Sequence, residues 1–243
     1  MSNKGKGICL TLGPVVAFIG WILYQTTFIG STENDDIAGL LSNAEGGTVM
    51  ATVVIILIIV GLPIFIAGLR GTKGQAGGTF ETLGIGFVTL GVIVFVATIG
   101  LLGTHVEMGN KLAEYTAGVG AATAGGDAAA AAKYMDAAYA AQISTGAVQA
   151  FNVAASNIGS LLWGAGFFLI GVAYTLNSSF KSIIPAIPLG PVAAIIGILI
   201  IVSVLVIDPT AGSNTAGIVG GISFAISVLW SVLVGAKLAT SSD

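Results

Sequence analysis

Long apolar runs recur along this chain, and short polar or charged stretches separate each run from the next. An α-helix needs about 20 apolar residues to cross a bilayer, at about 1.5 Å of rise per residue. Six runs meet that length: Ile8–Gly30, Thr48–Leu69, Thr82–Thr104, Gly146–Leu176, Ala186–Ile207 and Asn214–Ala236. Backbone groups in lipid must be satisfied within their own segment, so these runs are expected to be helices. The pattern predicts an all-α, polytopic membrane protein, with residues 1–243 forming a single six-helix transmembrane domain.

Composition supports the same class of protein. Hydrophobic residues make up 55% of the chain and charged residues 8%, whereas a soluble domain carries about 25% charged residues. Cys9 is the only cysteine, so the chain has no partner for an internal disulfide. The lipid bilayer is therefore the first partner that the sequence predicts.

The charged residues divide unequally between the two sides that six spans define. One side holds six cations and two acids, for a net charge of +4, and the other holds two cations and nine acids, for −7. The cations of the first side are Lys4, Lys6, Arg70, Lys73, Lys181 and Lys237. Because cytoplasmic loops carry the excess of Lys and Arg, we expect both termini in the cytoplasm. The plasma (inner) membrane of a prokaryote is the expected location.

A nine-residue sequence occurs in both the first and the fifth span. Leu12–Gly20 and Leu189–Gly197 are identical at seven of nine positions, and the third span repeats the glycine step with Gly84 and Gly91. In the returning spans, Gly61, Phe65 and Gly68 match Gly164, Phe168 and Gly171 in spacing. These matches predict three tandem transmembrane hairpins. The alternative is chance similarity within a glycine-rich apolar sequence.

The segment 104–145 is too polar for a span and has its own helical pattern. Met108, Leu112, Tyr115 and Val119 share one helical face, and Ala132, Met135, Tyr139 and Ile143 share another. Gly125 and Gly126 permit a turn between them, and Asp127 is a good helix N-cap. We predict an external, Ala-rich helical hairpin between transmembrane helices 3 and 4, with these two faces in contact. The alternative is a flexible Ala/Gly loop.

The fourth span carries a line of polar side chains. They are Gln149, Asn152, Ser156 and Ser160, with Asn157 beside them. A polar stripe within a span faces other helices or a water-filled cavity. Both interpretations stay open: hydrogen bonding between helices, or the wall of a polar vestibule that opens outward near His105.

His105 and Glu107 form a possible interfacial site at the end of the third span. Helical positions i and i+2 point in nearly opposite directions, so a single helix does not aim both side chains at one metal ion. No metal site is predicted from them.

The second half of the chain resembles uncharacterised six-span bacterial integral membrane proteins. The similarity lies in the order of elements: a fourth span that is polar and then Trp-bearing (Asn157 to Tyr174), Ser178 to Pro188 followed by Leu189-Gly190, and a glycine-bearing fifth span. That family has no established activity, so the resemblance implies a fold and no functional residues. The Ala-rich insertion departs from it.

Sequence motifs for catalysis are missing. The chain has no phosphate-binding loop, nucleophile elbow, zinc signature or basic nucleic-acid patch. We therefore predict no catalytic residue, no cofactor and no nucleic-acid partner. The first hypothesis is a structural or accessory subunit of a membrane complex, which binds other membrane subunits or copies of itself. The alternative is a channel or transporter for a small neutral solute, lined by the polar stripe.

Overall fold

The structure is a computed structural model that describes residues 2–177 and 182–241. Lys181 and part of the stretch that carries the family resemblance lie outside the described residues. The described chain contains nine α-helices. They are α1 (Asn3–Tyr24), α2 (Ile37–Ala44), α3 (Thr48–Arg70), α4 (Gly78–Ile99), α5 (Leu101–Ala124), α6 (Ala128–Leu176), α7 (Leu189–Val202), α8 (Asp208–Ala211) and α9 (Ser213–Thr240).

Six helical segments among the described residues are long and apolar enough to cross a membrane. They contain α1, α3, α4, α6, α7 and α9, which match the six predicted spans. Large hydrophobic side chains such as Val49, Ile218 and Leu229 lie exposed on the outer faces of these helices. Lipid tails are the environment that such a surface requires. The predicted all-α, multi-pass architecture is confirmed at this level.

The six spans form a closed ring. Each span packs on the next in the order α1, α3, α4, α6, α7 and α9. The ring is closed by a contact between α9 and α1. The tightest of these contacts join α1 to α3, and α6 to both α4 and α7. The contacts of α3 with α4 and of α7 with α9 are looser. A ring of six helices leaves room at its centre, and the candidate site lies there.

Three of the tight contacts between helices share one arrangement, in which a glycine of one span meets the carbonyl oxygen of a glycine in its neighbour. A Cβ at Gly13 would lie 2.8 Å from the carbonyl oxygen of Gly61, and one at Gly84 would lie 2.7 Å from that of Gly166. A Cβ at Gly190 would lie 2.9 Å from the carbonyl oxygen of Gly171. Backbones approach this closely only where no side chain intervenes. The glycine of the repeated sequence therefore marks where an odd-numbered span touches its neighbour.

The contacts of Gly13 and of its counterpart Gly190 differ in register by seven residues. Gly13 packs on Gly61, and its counterpart Gly190 packs on Gly171 rather than on Gly164. Gly164 instead meets Gly197, seven residues further along α7. A seven-residue slip keeps the same helical face, so the glycine spacing alone did not distinguish the two registers. The fifth span thus packs mainly on the fourth.

The helices of the segment 104–145 continue those of two spans. The α6 helix is one rod of 49 residues, about 73 Å at 1.5 Å per residue. The α4 and α5 helices are interrupted only at Gly100. The α5–α6 turn uses Gly126 at a φ of +73°, and the Asp127 carboxylate accepts a hydrogen bond from the Ala130 N–H at 2.9 Å. The predicted N-cap at Asp127 is confirmed.

The second arm presents a different face to α5 from the one predicted. Met135, Tyr139 and Ile143 are 58%, 67% and 62% exposed. Ala141 and Thr145 are buried instead. Gly118 of α5 lies against the Tyr134 ring, where a Cβ would approach ring atoms to 2.7 Å. The expected pairing of the large apolar residues is therefore wrong.

Candidate functional site

A cavity of about 340 Å³ lies inside the ring and is lined by all six spans. Its lining residues come from the ends of the spans nearest the α5–α6 turn, which we call the hairpin end. Asn34, Asp208 and Ser213 line it where the helices stop, and Trp163 and Phe224 line it deeper in the bundle. The cavity thus has a mouth at the hairpin end and a floor near the middle.

Four of the five residues in the predicted polar stripe line this cavity. They are Asn152, Ser156, Asn157 and Ser160. Gln149 is buried above them: its amide donates to Asn34 Oδ1 at 3.3 Å, and its carbonyl accepts from Asn152 Nδ2 at 3.5 Å. Part of the stripe therefore faces the cavity, and its side-chain bonds join α6 to the α1–α2 loop and link neighbouring turns of α6. Its lower part faces the cavity and its upper part bonds to a neighbouring loop.

His105 lines the cavity as well, whereas Glu107 lies on the exposed side of α5. The structure does not bring the two residues together, as their i, i+2 spacing implies. His105 is only 8% exposed, and its Nδ1 lies 3.0 Å from the Leu101 carbonyl oxygen. In the neutral imidazole, that contact places the proton on Nδ1 and leaves Nε2 as an acceptor.

The loop between α1 and α2 crosses the mouth and is fastened at both sides. On one side, Glu33 accepts a hydrogen bond from the Ser213 hydroxyl, and the Asn34 N–H donates to the same hydroxyl at 3.3 Å. On the other side, Asn34 accepts from Gln149. These bonds join α9, the loop and α6. Sequence reasoning missed them because Glu33 and Ser213 lie 180 residues apart and neither belongs to a motif.

Aromatic rings close the floor. Trp163 stacks on Phe65 and Phe167 at centroid distances of 5.4 and 5.7 Å and meets the edge of Phe224 at 5.8 Å. Phe167 in turn meets Trp230 at 5.5 Å. Phe65, Phe167 and Trp230 are fully buried, so a packed aromatic layer separates the cavity from the opposite end of the bundle. This layer is not predictable from a local pattern, because its members come from three different spans.

Two π-helical turns lie beside the cavity at related positions. The first span continues from α1 into Gln25–Ile29, and the fifth continues from α7 into Ser203–Ile207. Each turn begins five or six residues after the last glycine of the repeated sequence. Gln25 and Ser203 both line the cavity, and Ser203 donates to the Ala216 carbonyl at 2.8 Å. Such turns are frequent at functional sites, where they redirect side chains.

At the opposite end of the bundle, a buried carboxylate holds the loop between α3 and α4 in place. Glu81 is buried, and its carboxylate accepts hydrogen bonds from the backbone N–H groups of Gly74, Ala76 and Gly77 at 2.7, 3.2 and 3.0 Å. The Asn177 amide donates to the Ala76 carbonyl at 2.7 Å. These bonds hold the loop between α3 and α4 against the end of α6. Glu81 therefore has a structural position away from the cavity.

The chain matches no protein-family model, no curated protein and no solved structure. The residues that line the cavity therefore indicate what it could bind. The mouth offers amide, hydroxyl and imidazole groups, and the floor offers aromatic faces. Such an arrangement suits a small molecule with a polar group at one side and an apolar body at the other.

Proposed function

We propose that this protein is a channel or transporter for a small neutral solute, which enters the cavity from the hairpin end. The observation that supports this most is the cavity itself, lined by all six spans with polar groups at the mouth. A purely structural subunit needs no such space in its centre. The aromatic floor closes the path in this conformation, so passage requires the floor to rearrange.

The lining favours a neutral solute. Among the described residues it contains no Lys or Arg, and its single carboxylate, Asp208, lies at the mouth. An ion that moved below Asp208 would lose its hydration shell without gaining an opposite charge, and that loss is costly. The hydroxyl and amide groups of Ser156 and Asn152 can replace the hydrogen bonds that a neutral polar group leaves in water.

The proposal includes an orientation of the bundle in the membrane. Lys6, Arg70, Lys73 and Lys237 lie at the end of the bundle opposite the hairpin, which supports a cytoplasmic position for both termini. The hairpin and the mouth would then face outward, in the plasma membrane of a prokaryote. Three tandem transmembrane hairpins and membership of the uncharacterised six-span family remain parts of this proposal.

Cysteine accessibility tests whether the cavity admits molecules from the hairpin end. In a Cys9→Ala background reconstituted into liposomes, Ser156→Cys should react with a small, membrane-impermeant thiol reagent. The matched control Ser231→Cys replaces a buried serine beyond the aromatic floor and should stay unmodified. The extent of modification is measured by mass spectrometry. Protection of both cysteines would contradict an open cavity.

Solute flux tests the transport step itself. Proteoliposomes are mixed with a panel of neutral solutes, and their swelling is followed by stopped-flow light scattering. The double variant Asn152→Leu with Ser156→Leu makes the mouth apolar and should slow the entry of the solute that passes. Flux that is unchanged in this variant would argue against the polar stripe as part of the path.

A structural or accessory subunit is the second candidate, and one observation favours it. Met135, Tyr139 and Ile143 form an exposed apolar stripe on the part of α6 that lies beyond the spans. Exposed apolar patches of this kind often mark protein contacts. A photoreactive residue at Tyr139 should then give a discrete cross-linked product in native membranes, and the same residue at Lys133 should give less. A monomer without cross-links would remove the support for this candidate.

A further inference from the structure

Two serine hydroxyls in the cavity are not bonded to the helix that carries them. The other hydroxyl residues of α6 are Ser144, Thr145 and Thr175, and each donates to the carbonyl oxygen four residues earlier, at 2.8, 2.8 and 2.7 Å. Ser156 and Ser160 make no hydrogen bond within the described part of the chain. Both residues are only half-buried, and both line the cavity. Their hydroxyls can therefore bond to a solute there.

Asn157 adds a carboxamide to these hydroxyls. It lines the cavity and likewise bonds to no other described residue, whereas Asn152 already donates to Gln149. Ser156 and Ser160 lie one helical turn apart, about 6 Å along the axis of α6. Hydroxyl and carboxamide groups both donate and accept hydrogen bonds. Ser156, Asn157 and Ser160 thus form a short polar surface on one wall, which we call the hydroxyl strip.

Glycines of α9 leave open space in another wall of the cavity. Gly217 and Gly220 both line it. A Cβ at Gly217 would have nothing from another helix within 4 Å, and one at Gly220 would meet only Ser203 Oγ, at 4.0 Å. Much of the remaining lining is apolar and includes Ile58, Leu62 and Ile200. A solute in this space would therefore find hydrogen-bonding groups along one side and hydrocarbon around the rest.

We propose that the solute is a small open-chain polyol, which places its hydroxyls on the hydroxyl strip and its C–H groups against the apolar walls. Each polyol hydroxyl both donates and accepts, so one molecule can bond to Ser156 and Ser160 together. A sugar ring carries hydroxyls around its whole rim and would press some of them against apolar side chains, which is costly. This inference rests on the proposed function and adds the class of solute and the residues that recognise it.

A cysteine at Gly220 reports whether a polyol occupies the cavity. The full chain, as Gly220→Cys in a Cys9→Ala background, is kept in detergent and treated with a small thiol reagent. The rate of modification is measured by mass spectrometry at increasing solute concentration. Erythritol and butane-1,4-diol share a four-carbon chain and differ by two hydroxyls. Erythritol should halve the rate at a concentration about tenfold lower, because it makes more hydrogen bonds.

An exposed cysteine controls for the viscosity of the solute. Asp127→Cys lies at the α5–α6 turn, outside the cavity lining. Its rate of modification should be unchanged by either probe over the same range of concentration. A fall in that rate equal to the fall at Gly220→Cys would overturn the inference, because the protection would then come from the solution rather than from an occupied cavity.

The Ser160→Ala variant tests the hydroxyl strip. It removes one hydroxyl and adds no bulk, so the erythritol concentration that gives half protection should rise about fivefold, the loss expected for one neutral hydrogen bond. Ser144→Ala is the matched control, because Ser144 lies on the same helix, is exposed and bonds to the Ala140 carbonyl oxygen. That variant should keep the original value. An unchanged value in Ser160→Ala would overturn the role of the strip.

The remaining outcomes separate this inference from the proposed function. Equal protection by erythritol and butane-1,4-diol would overturn the polyol class, and so would stronger protection by urea, which would assign the cavity to small amides. Stronger protection by glucose would overturn the open-chain form. An unreactive Gly220→Cys would contradict the open space on α9. If Ser156→Cys reacts but erythritol protects nothing, the solute class is wrong while the proposed function stands. If Ser156→Cys is protected without any solute, both are wrong.

Discussion

Individual glycines decide where the spans of this protein touch. Gly84 faces the backbone of α6, and Gly86, two residues along the same helix, has open space around it. The two positions share a helix, a residue type and a helical backbone conformation. They differ only in what a new side chain would meet, so they form a natural matched pair.

We expect Gly84→Ala to destabilise the folded bundle by about 1–3 kcal/mol, because its methyl group would press on the Gly166 carbonyl. Gly86→Ala should leave stability unchanged or raise it by up to about 1 kcal/mol, because alanine favours a helix more than glycine does. Unfolding curves of both variants in detergent give the comparison. Equal destabilisation by the two changes would show that the tight α4–α6 contact is not what Gly84 provides.

The repeated sequence predicted which glycines matter but not every contact that they make. Gly13, Gly84 and Gly190 stand at matching places in the first, third and fifth spans, and all three pack on a carbonyl of a neighbouring helix. The glycine spacing of the returning helices does not predict these partners, since glycines seven residues apart lie on one face. Choosing between Gly164 and Gly171 requires the vertical position of two helices, which a local pattern does not contain.

Among the elements, α6 stands out because it runs without interruption from the hairpin through the fourth span. No residue between Ala128 and Leu176 breaks its hydrogen-bond pattern. The sequence suggested a boundary near Thr145, where polar composition gives way to an apolar run. A helix does not need to end where its environment changes, so composition located the span but not the limits of the helix.

The continuity of α6 can be measured. Spin labels at Lys133→Cys and Leu176→Cys, in a Cys9→Ala background, are 43 residues apart, which corresponds to about 65 Å along a straight helix. Double electron–electron resonance should give one narrow distance distribution near that value. An Ile158–Leu176 pair, which lies wholly on one side of Thr145 and is about 27 Å apart, is the control for label mobility. A broad distribution for the long pair alone would indicate a hinge near Thr145.

The second arm of the hairpin shows what helical periodicity can and cannot predict. The spacing of Met135, Tyr139 and Ile143 correctly placed them on one face. It did not say whether that face contacts α5, and the buried positions turned out to be Ala141 and Thr145. Tyr134, outside the predicted face, lies against Gly118 of α5 instead, so the rule that the largest apolar side chains of a face are buried fails here.

For the molecule as a whole, the division of charge between its two ends is the property on which the proposed orientation rests. We expect Asp127→Cys to react with an impermeant thiol reagent on intact cells and Lys73→Cys to remain unreactive. Both positions are exposed, so burial does not explain a difference between them. Permeabilised cells should label both variants equally. The reverse pattern on intact cells would invert the orientation and place the mouth of the cavity in the cytoplasm.

The sequence predicted only one wall of the cavity. A line of polar residues in an otherwise apolar span predicted one wall, through Asn152 and Ser156. The floor depends on Trp163 meeting Phe65 and Phe224 from two other spans. The loop over the mouth depends on Glu33 meeting Ser213. Both require the order of helices around the ring, and that order follows from packing among all six spans.

The uninterrupted α6 helix also connects the α5–α6 hairpin directly to the cavity wall. Its exposed stripe at Tyr139 and its cavity wall at Asn152 belong to one rod. A rigid helix that is displaced at one end tilts along its whole length. It would pivot at its tight glycine contacts with α4 and α7. We therefore expect a displacement of α6 at Tyr139 to shift Asn152 and Trp163 with it, because all three lie on one helix.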